Sequence, residues 1–241
     1  MNLEEITRKE LDKIKKAAMQ VTFQGSVKKN DADADSHLGG KPYILKDEKW
    51  PTCISCKEDM DFFLQLREID SDKNATLKTF YQCDCRIKEF TPFIAIREYS
   101  NPDPDFIDHT LFENKDFEDY SVIKLDPSWS APSWSLLEAY NKSLYDEILK
   151  TFENDDEQAD AFYDEQRLFN DFLPEDPFTV LYGYPEFYSD PIHPIKCSCC
   201  NKYTQFYFQI DSMHKQNINW NDGTLYCYVC PITKTYFFLV N

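Results

Sequence analysis

Two segments of the chain, 144 residues apart, carry the same cysteine pattern. Each begins with a C-x2-C pair, continues through an aromatic run that contains a glutamine, and ends with a second cysteine pair. Eight of the nine cysteines fall into these two sets, which are Cys53, Cys56, Cys83 and Cys85, and Cys197, Cys200, Cys227 and Cys230. The spacing in each set is typical of a four-cysteine zinc site, and its repetition predicts an internal duplication.

A C-x2-C pair on a tight turn, followed by a second pair on a later strand, can present four thiolates to one metal ion. Lys57 and Asn201 follow the turns at a position that often needs the left-handed conformation, which suits asparagine well. This position favours Cys200 over Cys199 as a ligand, although both stay open. Because four thiolates leave no free coordination position, the pattern predicts two structural zinc ions. Iron in one site, or unliganded thiols, are the alternatives.

Acidic residues are concentrated between the two cysteine sets. The chain has a net charge of −17, and residues 101–176 contain 21 Asp or Glu against 5 Lys or Arg. Such a field repels phosphate backbones, which argues against direct binding of nucleic acid. It favours a basic protein as the partner, because the charge would steer that partner's approach. A surface that only keeps the chain in solution is the simpler alternative.

No membrane or export signal is visible in the sequence. It contains no apolar run of 18 or more residues. The first residues, Met1 to Glu5, lack the basic and apolar regions of a secretory signal. We therefore expect a cytoplasmic protein, in whose reducing surroundings cysteine pairs bind metal more often than they form disulfides.

Composition and periodicity divide the chain into four segments. They are an N-terminal amphipathic helix (1–30), a first β-rich zinc module (31–100), an acidic, partly helical link (101–177) and a second β-rich zinc module (178–241). The helical spacing of the first segment extends over residues 3–20. In the link we expect one helix that begins after Ser133 or Ser135, and a second at 155–172. The predicted fold class is α+β.

No catalytic motif of a known type occurs in the chain. There is no nucleophile elbow, phosphate-binding loop or zinc-protease helix, and none of the four histidines has a spacing that pairs it with such a motif. Gln65 and Gln209 recur at equivalent places in apolar strands, where a buried glutamine more often satisfies backbone groups than it catalyses. Carboxylates are plentiful, however, so a carboxylate-based active site in the cleft between the halves is an alternative.

Several short motifs, in this order and spacing, resemble the YwqG-like family of bacterial domains of unknown function. They are Leu38–Tyr43, Trp50–Cys53, Phe63–Leu66, Pro132–Trp134, Gly183–Pro185, Phe208–Ser212 and Trp220–Gly223. The cysteine-bearing version is also similar to the family of eukaryotic programmed cell death protein 2. The resemblance implies two related β-rich halves and no established catalytic residues. It also implies two alternative roles, since the eukaryotic relative is associated with chaperoning a basic ribosomal protein and some bacterial members lie near secreted-toxin genes, which suggests immunity.

The leading hypothesis from the sequence is a non-catalytic cytoplasmic module that two zinc ions stabilise and that binds a basic protein. An enzyme with a carboxylate-based site in the cleft is the first alternative. A structural subunit whose acidity only keeps it in solution is the second. The acidic link distinguishes the first hypothesis from the others, because its charge predicts fast association that weakens as salt is added.

Overall fold

The strands of the described structure form one antiparallel sheet. The computed structural model describes residues 3–27, 33–83, 85, 93–113, 117, 120–152, 179–187, 195–212, 220 and 223–241. Its strands are β1 (Lys16–Val27), β2 (His37–Leu38), β3 (Asp61–Ile69), β4 (Ala75–Cys83), β5 (Phe93–Ser100), β6 (Tyr120–Ser130), β7 (Val180–Tyr182), β8 (Gln205–Asp211), β9 (Thr224–Val229) and β10 (Tyr236–Val240). Its α-helices are α1 (Leu3–Ile14), α2 (Trp134–Tyr140) and α3 (Lys142–Phe152).

The predicted α+β class was wrong, because the described fold is mostly β. Two strands come from segments that the sequence patterns assigned to the N-terminal helix and to the acidic link. Strand β6 belongs to the predicted acidic link, and β1 overlaps the predicted N-terminal helix. Both lie at the centre of the sheet, where they pair with each other over their full lengths. The sheet is therefore continuous through both halves of the chain.

Helix α1 ends at Ile14 instead of continuing to residue 20. The N–H of Lys15 donates to the carbonyl of Leu11 (2.8 Å), which closes the last helical turn. From Lys16 onward the chain is a strand, and Val21 is buried in the main core with Met19 and Phe23 packed beside it. Residues 19, 21 and 23 have the spacing of one strand face, and pairing on both edges of β1 outweighs the local helical pattern.

The strand order is symmetric about the central β1–β6 pair. It runs β10-β9-β8-β7-β1-β6-β2-β3-β4-β5, so each half adds a short strand, a hairpin and an edge strand on its own side. The short strands end alike, with consecutive positive φ angles at Gly39 and Gly40 (59° and 68°) and at Tyr182 and Gly183 (62° and 80°). The internal duplication is thus visible in the backbone.

A buried glutamine anchors a loop in each half. The Oε1 of Gln65 accepts from the N–H of Tyr43 (2.7 Å), and its Nε2 donates to two carbonyls of the loop before β2 (2.9 and 2.8 Å). The Oε1 of Gln209 accepts from the N–H of Glu186 (2.9 Å), and its Nε2 donates to the Glu186 carbonyl (3.2 Å). The structural role predicted for both glutamines is confirmed by these bonds.

The two long hairpins, β3–β4 and β8–β9, face each other across the main core. The rings of Phe80 and Phe208 meet edge to face with centroids 5.3 Å apart, and those of Phe63 and Trp220 do so at 5.4 Å. Trp220 is fully buried. Burying such aromatic rings from both hairpins in one core couples the stability of the two halves.

A polar network joins the hairpins beside this aromatic contact. Glu68 of β3 forms an ion pair with Lys78 of β4, and both side chains are largely buried. Its carboxylate also accepts from the hydroxyl of Tyr207 on β8 (2.9 Å) and from that of Tyr182 on β7. The Nζ of Lys78 donates to the Tyr207 hydroxyl as well (3.1 Å). Each polar group therefore has partners from the opposite hairpin or strand.

Helices α2 and α3 pack against α1 at one end of the sheet. Their contact buries Leu11, Leu137, Leu144 and Ile148. Helix α2 begins after Ser133, as predicted, but the Ser133 side chain makes no capping hydrogen bond. The predicted helix at 155–172 lies outside the described residues, as do His193 and His214. No helix within the described ranges combines the length and apolarity needed to cross a membrane.

Candidate metal centres

The four cysteines of the first half come together at one end of the β3–β4 hairpin. The sulfurs of Cys53, Cys56, Cys83 and Cys85 all lie within 4.8 Å of one another. Cys53 is 3.7 Å from Cys85, and Cys56 is 3.4 Å from Cys83. A zinc ion with Zn–S bonds of about 2.3 Å holds tetrahedral thiolates about 3.8 Å apart. The group could therefore hold a metal ion with little movement.

The turn at Cys53 has the backbone geometry of a metal-binding knuckle. The N–H of Lys57 donates to the Cys53 carbonyl (3.0 Å), and the N–H of Cys53 donates to the Glu58 carbonyl (2.8 Å). Lys57 has a φ of 67°, as the sequence predicted. The N–H of Ser55 also points at the Cys53 sulfur (3.4 Å), where it stabilises a thiolate.

The second half repeats this knuckle and brings three cysteines together. The N–H of Asn201 donates to the Cys197 carbonyl (2.8 Å), and Asn201 has a φ of 56°. The sulfurs of Cys197, Cys200 and Cys230 lie within 4.8 Å of one another, with Cys200 and Cys230 only 3.4 Å apart. Cys199 is exposed and is not part of this group, so the geometry selects Cys200.

Cys227, the remaining predicted ligand, lies apart from the other three. It sits in β9 opposite Phe208 of β8, and its side chain is fully buried in the main apolar core. Burial raises the pKa of the Cys227 thiol well above its ordinary value. Its sulfur is not among those that lie within 4.8 Å of one another in the second group. Cys227 is therefore a core residue rather than a member of the second group.

Cys227 lies apart from the other three cysteines because the second hairpin is shifted by three residues relative to the first. Leu64 and Phe208 occupy matching positions 144 residues apart, but their cross-strand partners, Phe80 and Cys227, are 147 residues apart. The chain between the paired residues of the second hairpin is three residues longer than the chain between the paired residues of the first. Cys227 consequently takes the place of a core phenylalanine, and Cys230 takes the place of the last cysteine of β4. An alignment without gaps cannot detect this shift.

Both groups contain a thiol with a lowered pKa. Burial raises the pKa of Cys53, but the N–H groups of Cys56 and Ser55 outweigh it and lower the value to about 6. The Thr233 hydroxyl is the largest influence on Cys230 and lowers the pKa of its thiol to about 6, against the effect of burial. These sulfurs are therefore easily converted to the thiolate that a metal ion binds.

A groove between α2 and the second half offers no carboxylate for the enzymatic alternative. Its volume is about 820 Å³, and its described lining includes Lys16, Lys196 and Tyr140 but no Asp or Glu. Elsewhere, burial raises the pKa of Glu186 to about 7, although hydrogen bonds from Ser133 and from the backbone lower it. Glu186 is not among the residues that line the groove. The groove therefore lacks the predicted pair of carboxylates.

Comparison with known proteins defines the family but no activity. The model of a domain of unknown function, DUF1963, matches residues 36–232. The chain is a DUF1963 protein. The matched region contains all eight cysteines of the predicted sites, whereas α1, β1 and β10 lie outside it. No curated protein matches the chain.

Proposed function

We propose that this DUF1963 protein is a non-catalytic binding module, stabilised by structural zinc, that engages a basic protein. The two cysteine groups support the metal part of the proposal, because each gathers thiolates at the open end of a hairpin. The acidic composition of residues 101–176 supports the choice of partner. By analogy with the two families that the sequence resembles, the protein would act as an immunity protein or as a chaperone. The module would act in the cytoplasm.

The observation that carries the proposal is an exposed aromatic ring next to exposed acidic side chains. Phe106 is 60% exposed in the 3-10 turn Pro104–Phe106, and the exposed Asp103 and Asp105 flank it. Phe106 and Asp103 also line a groove of about 660 Å³, together with Glu98 and one basic residue, Lys46. An exposed aromatic anchor bordered by carboxylates suits a partner that presents an apolar contact surrounded by lysine or arginine.

The acidic surface is held in place by the first half of the fold. The Tyr43 hydroxyl donates to the Asp103 carbonyl (3.1 Å), and the N–H of Asp108 donates to the Ile44 carbonyl (2.8 Å). Tyr43 is in turn bonded to Gln65 of β3. Because the backbone of the surface is fixed before a partner arrives, little conformational entropy is lost on binding.

The partner is first identified by mass spectrometry of the complexes that the purified chain forms at low salt. The association rate of that purified partner is then measured between low and physiological ionic strength. We expect a basic partner and an on-rate that falls steeply with salt. A partner that is not basic, or whose association rate does not depend on ionic strength, would overturn the proposal.

Two double variants locate the effect on the surface. Asp103→Asn with Asp105→Asn removes two charges next to Phe106 and keeps the shape of the side chains. Asp12→Asn with Asp72→Asn removes the same charge from exposed positions elsewhere. We expect the first pair to slow association several-fold and the second pair to have a much smaller effect. Equal effects would mean that net charge, rather than this surface, determines binding.

A further inference from the structure

The second cysteine group contains a third knuckle, which begins at Cys230. The N–H of Lys234 donates to the Cys230 carbonyl (3.0 Å), and the N–H of Cys230 donates to the Thr235 carbonyl (2.8 Å). Lys234 has a φ of 56°. These bonds repeat those of the Cys53 knuckle, residue for residue. In this third knuckle Thr233 stands where the C-x2-C pattern has its second cysteine.

The Thr233 side chain is placed like a fourth ligand. Its Oγ1 lies 3.7 Å from the sulfur of Cys197, close to the edge of a tetrahedron around a zinc ion. Its N–H points at the Cys230 sulfur (3.4 Å), as the N–H of Ser55 points at Cys53 in the first group. Sequence reasoning missed this residue, although the spacing Cys230-x2-Thr233 was there to indicate it.

A threonine hydroxyl cannot do what a fourth cysteine does. It is neutral at physiological pH and is not among the usual protein ligands of zinc, which are cysteine, histidine and carboxylate side chains. Zinc sites with three protein ligands keep the fourth position for water or another exogenous ligand. Among the residues that the structure describes, the first group has four thiolates and is closed by this criterion, whereas the second has three ligands, all of them thiolates.

The surroundings of the second group favour an anion. Lys196, Lys202 and Lys234 are exposed and adjoin the knuckles. The segments 195–210 and 223–241 contain no Asp or Glu, although the chain as a whole carries a net charge of −17. Thr233 is itself exposed, so the fourth position can be reached from solvent. Local positive charge raises the concentration of small anions at this point.

We propose that the second group is an open zinc site, in which Cys197, Cys200 and Cys230 bind the metal and a low-molecular-weight thiolate occupies the fourth position beside Thr233. A soft thiolate is the ligand that completes the four-sulfur coordination seen in closed sites. The Thr233 hydroxyl and the three lysines hold this exogenous ligand and set its charge preference. The inference rests on the proposed metal binding, and extends it from a stabilising role to recognition of a small molecule.

The test uses the full chain loaded with cobalt(II), whose near-ultraviolet charge-transfer band grows with the number of thiolate ligands. Two ions bound as proposed have seven protein thiolates, four in the first group and three in the second. We expect added 2-mercaptoethanol or glutathione to increase the band by about one seventh, as an eighth thiolate binds. In Thr233→Cys the full band should be present before any thiol is added, and added thiol should not change it.

Controls separate this inference from the proposal on which it rests. Cys199→Ser removes a neighbouring exposed thiol outside the group and should respond to added thiol like the natural chain. One cobalt ion per chain with a four-thiolate spectrum would overturn the inference and leave the first site intact. No bound cobalt at all would overturn the metal part of the proposed function. If two cobalt ions bind but neither added thiol nor Thr233→Cys changes the charge-transfer band, the inference is also overturned.

Discussion

Glu68→Gln provides the sharpest test of how the two halves are held together. The substitution keeps the size of the side chain and removes the negative charge that faces Lys78 inside the network with Tyr182 and Tyr207. The side chains of Glu68 and Lys78 are only 22% and 12% exposed, so water can compensate little for the lost partner. Removing one member of a fully buried ion pair costs about 3 to 5 kcal/mol. We expect the lower end, about 3 kcal/mol, because both groups keep some exposure.

The assay is urea unfolding of the natural chain, Glu68→Gln, Lys78→Gln and the double variant. The matched control is Glu98→Gln, since Glu98 lies opposite Lys78 on β5 but is exposed. We expect the control to change the free energy of unfolding by less than about 1 kcal/mol. The two single variants should be strongly non-additive, because either one alone leaves a charge buried. Additive effects, or a loss of stability at Glu68 no larger than at Glu98, would mean that the buried ion pair does not hold the halves together.

We also expect the effect of Glu68→Gln on the free energy of unfolding to depend on pH. Burial raises the pKa of Glu68, but hydrogen bonds from Lys78 and Tyr182 outweigh it and hold the pKa of this carboxyl below its ordinary value in the folded chain. A lowered folded-state pKa means that the stabilisation is complete above the unfolded value and is lost as pH falls through the folded one. The difference in stability between the natural chain and Glu68→Gln should therefore be constant near neutral pH and shrink below about pH 4.5.

Three further predictions concern single positions, each measured by urea unfolding. Gln65→Leu should cost about 3 kcal/mol, because it leaves the buried N–H of Tyr43 and two carbonyls without partners. Gly183→Ala should cost about 2 kcal/mol, because φ is +80° and the new Cβ would lie 2.6 Å from the Cβ of Ser130. Cys227→Ala should cost about 1 to 2 kcal/mol through a small cavity in the core, with no loss of bound metal. A Cys227 variant that loses metal would contradict the placement of this residue.

The sequence predicted the cysteine knuckles well because their chemistry is local. A C-x2-C turn needs two thiols and a left-handed residue within five positions, and Lys57 and Asn201 have that conformation. The two buried glutamines were also predictable, since each recurs within an apolar strand. In the knuckles the residues that decide the structure are neighbours in the sequence, whereas the partners of Gln65 and Gln209 lie 22 to 32 residues away.

The rest of the fold depended on contacts that no local pattern contains. Strand β1 has a helical pattern at its start, and its pairing with β6 and β7 decides its conformation. Whether Cys227 belongs to the second cysteine group depended on the length of the connection between β8 and β9. Three extra residues in this hairpin place Cys230 in the position that the sequence pattern assigned to Cys227. The spacing Cys230-x2-Thr233 is present in the sequence, but the distance of 3.7 Å from the Thr233 hydroxyl to the Cys197 sulfur is seen only in the fold.

Native mass spectrometry of the chain purified without added metal tests metal binding by the two cysteine groups. We expect two zinc ions per chain in the natural protein and in Cys227→Ala, but one in Cys230→Ser and one in Cys56→Ser. Unfolding of the chain in the same instrument should release the metal, because the thiolates are held together only in the folded chain. A natural chain without metal, or a Cys227→Ala variant that loses an ion while Cys230→Ser keeps both, would contradict the account.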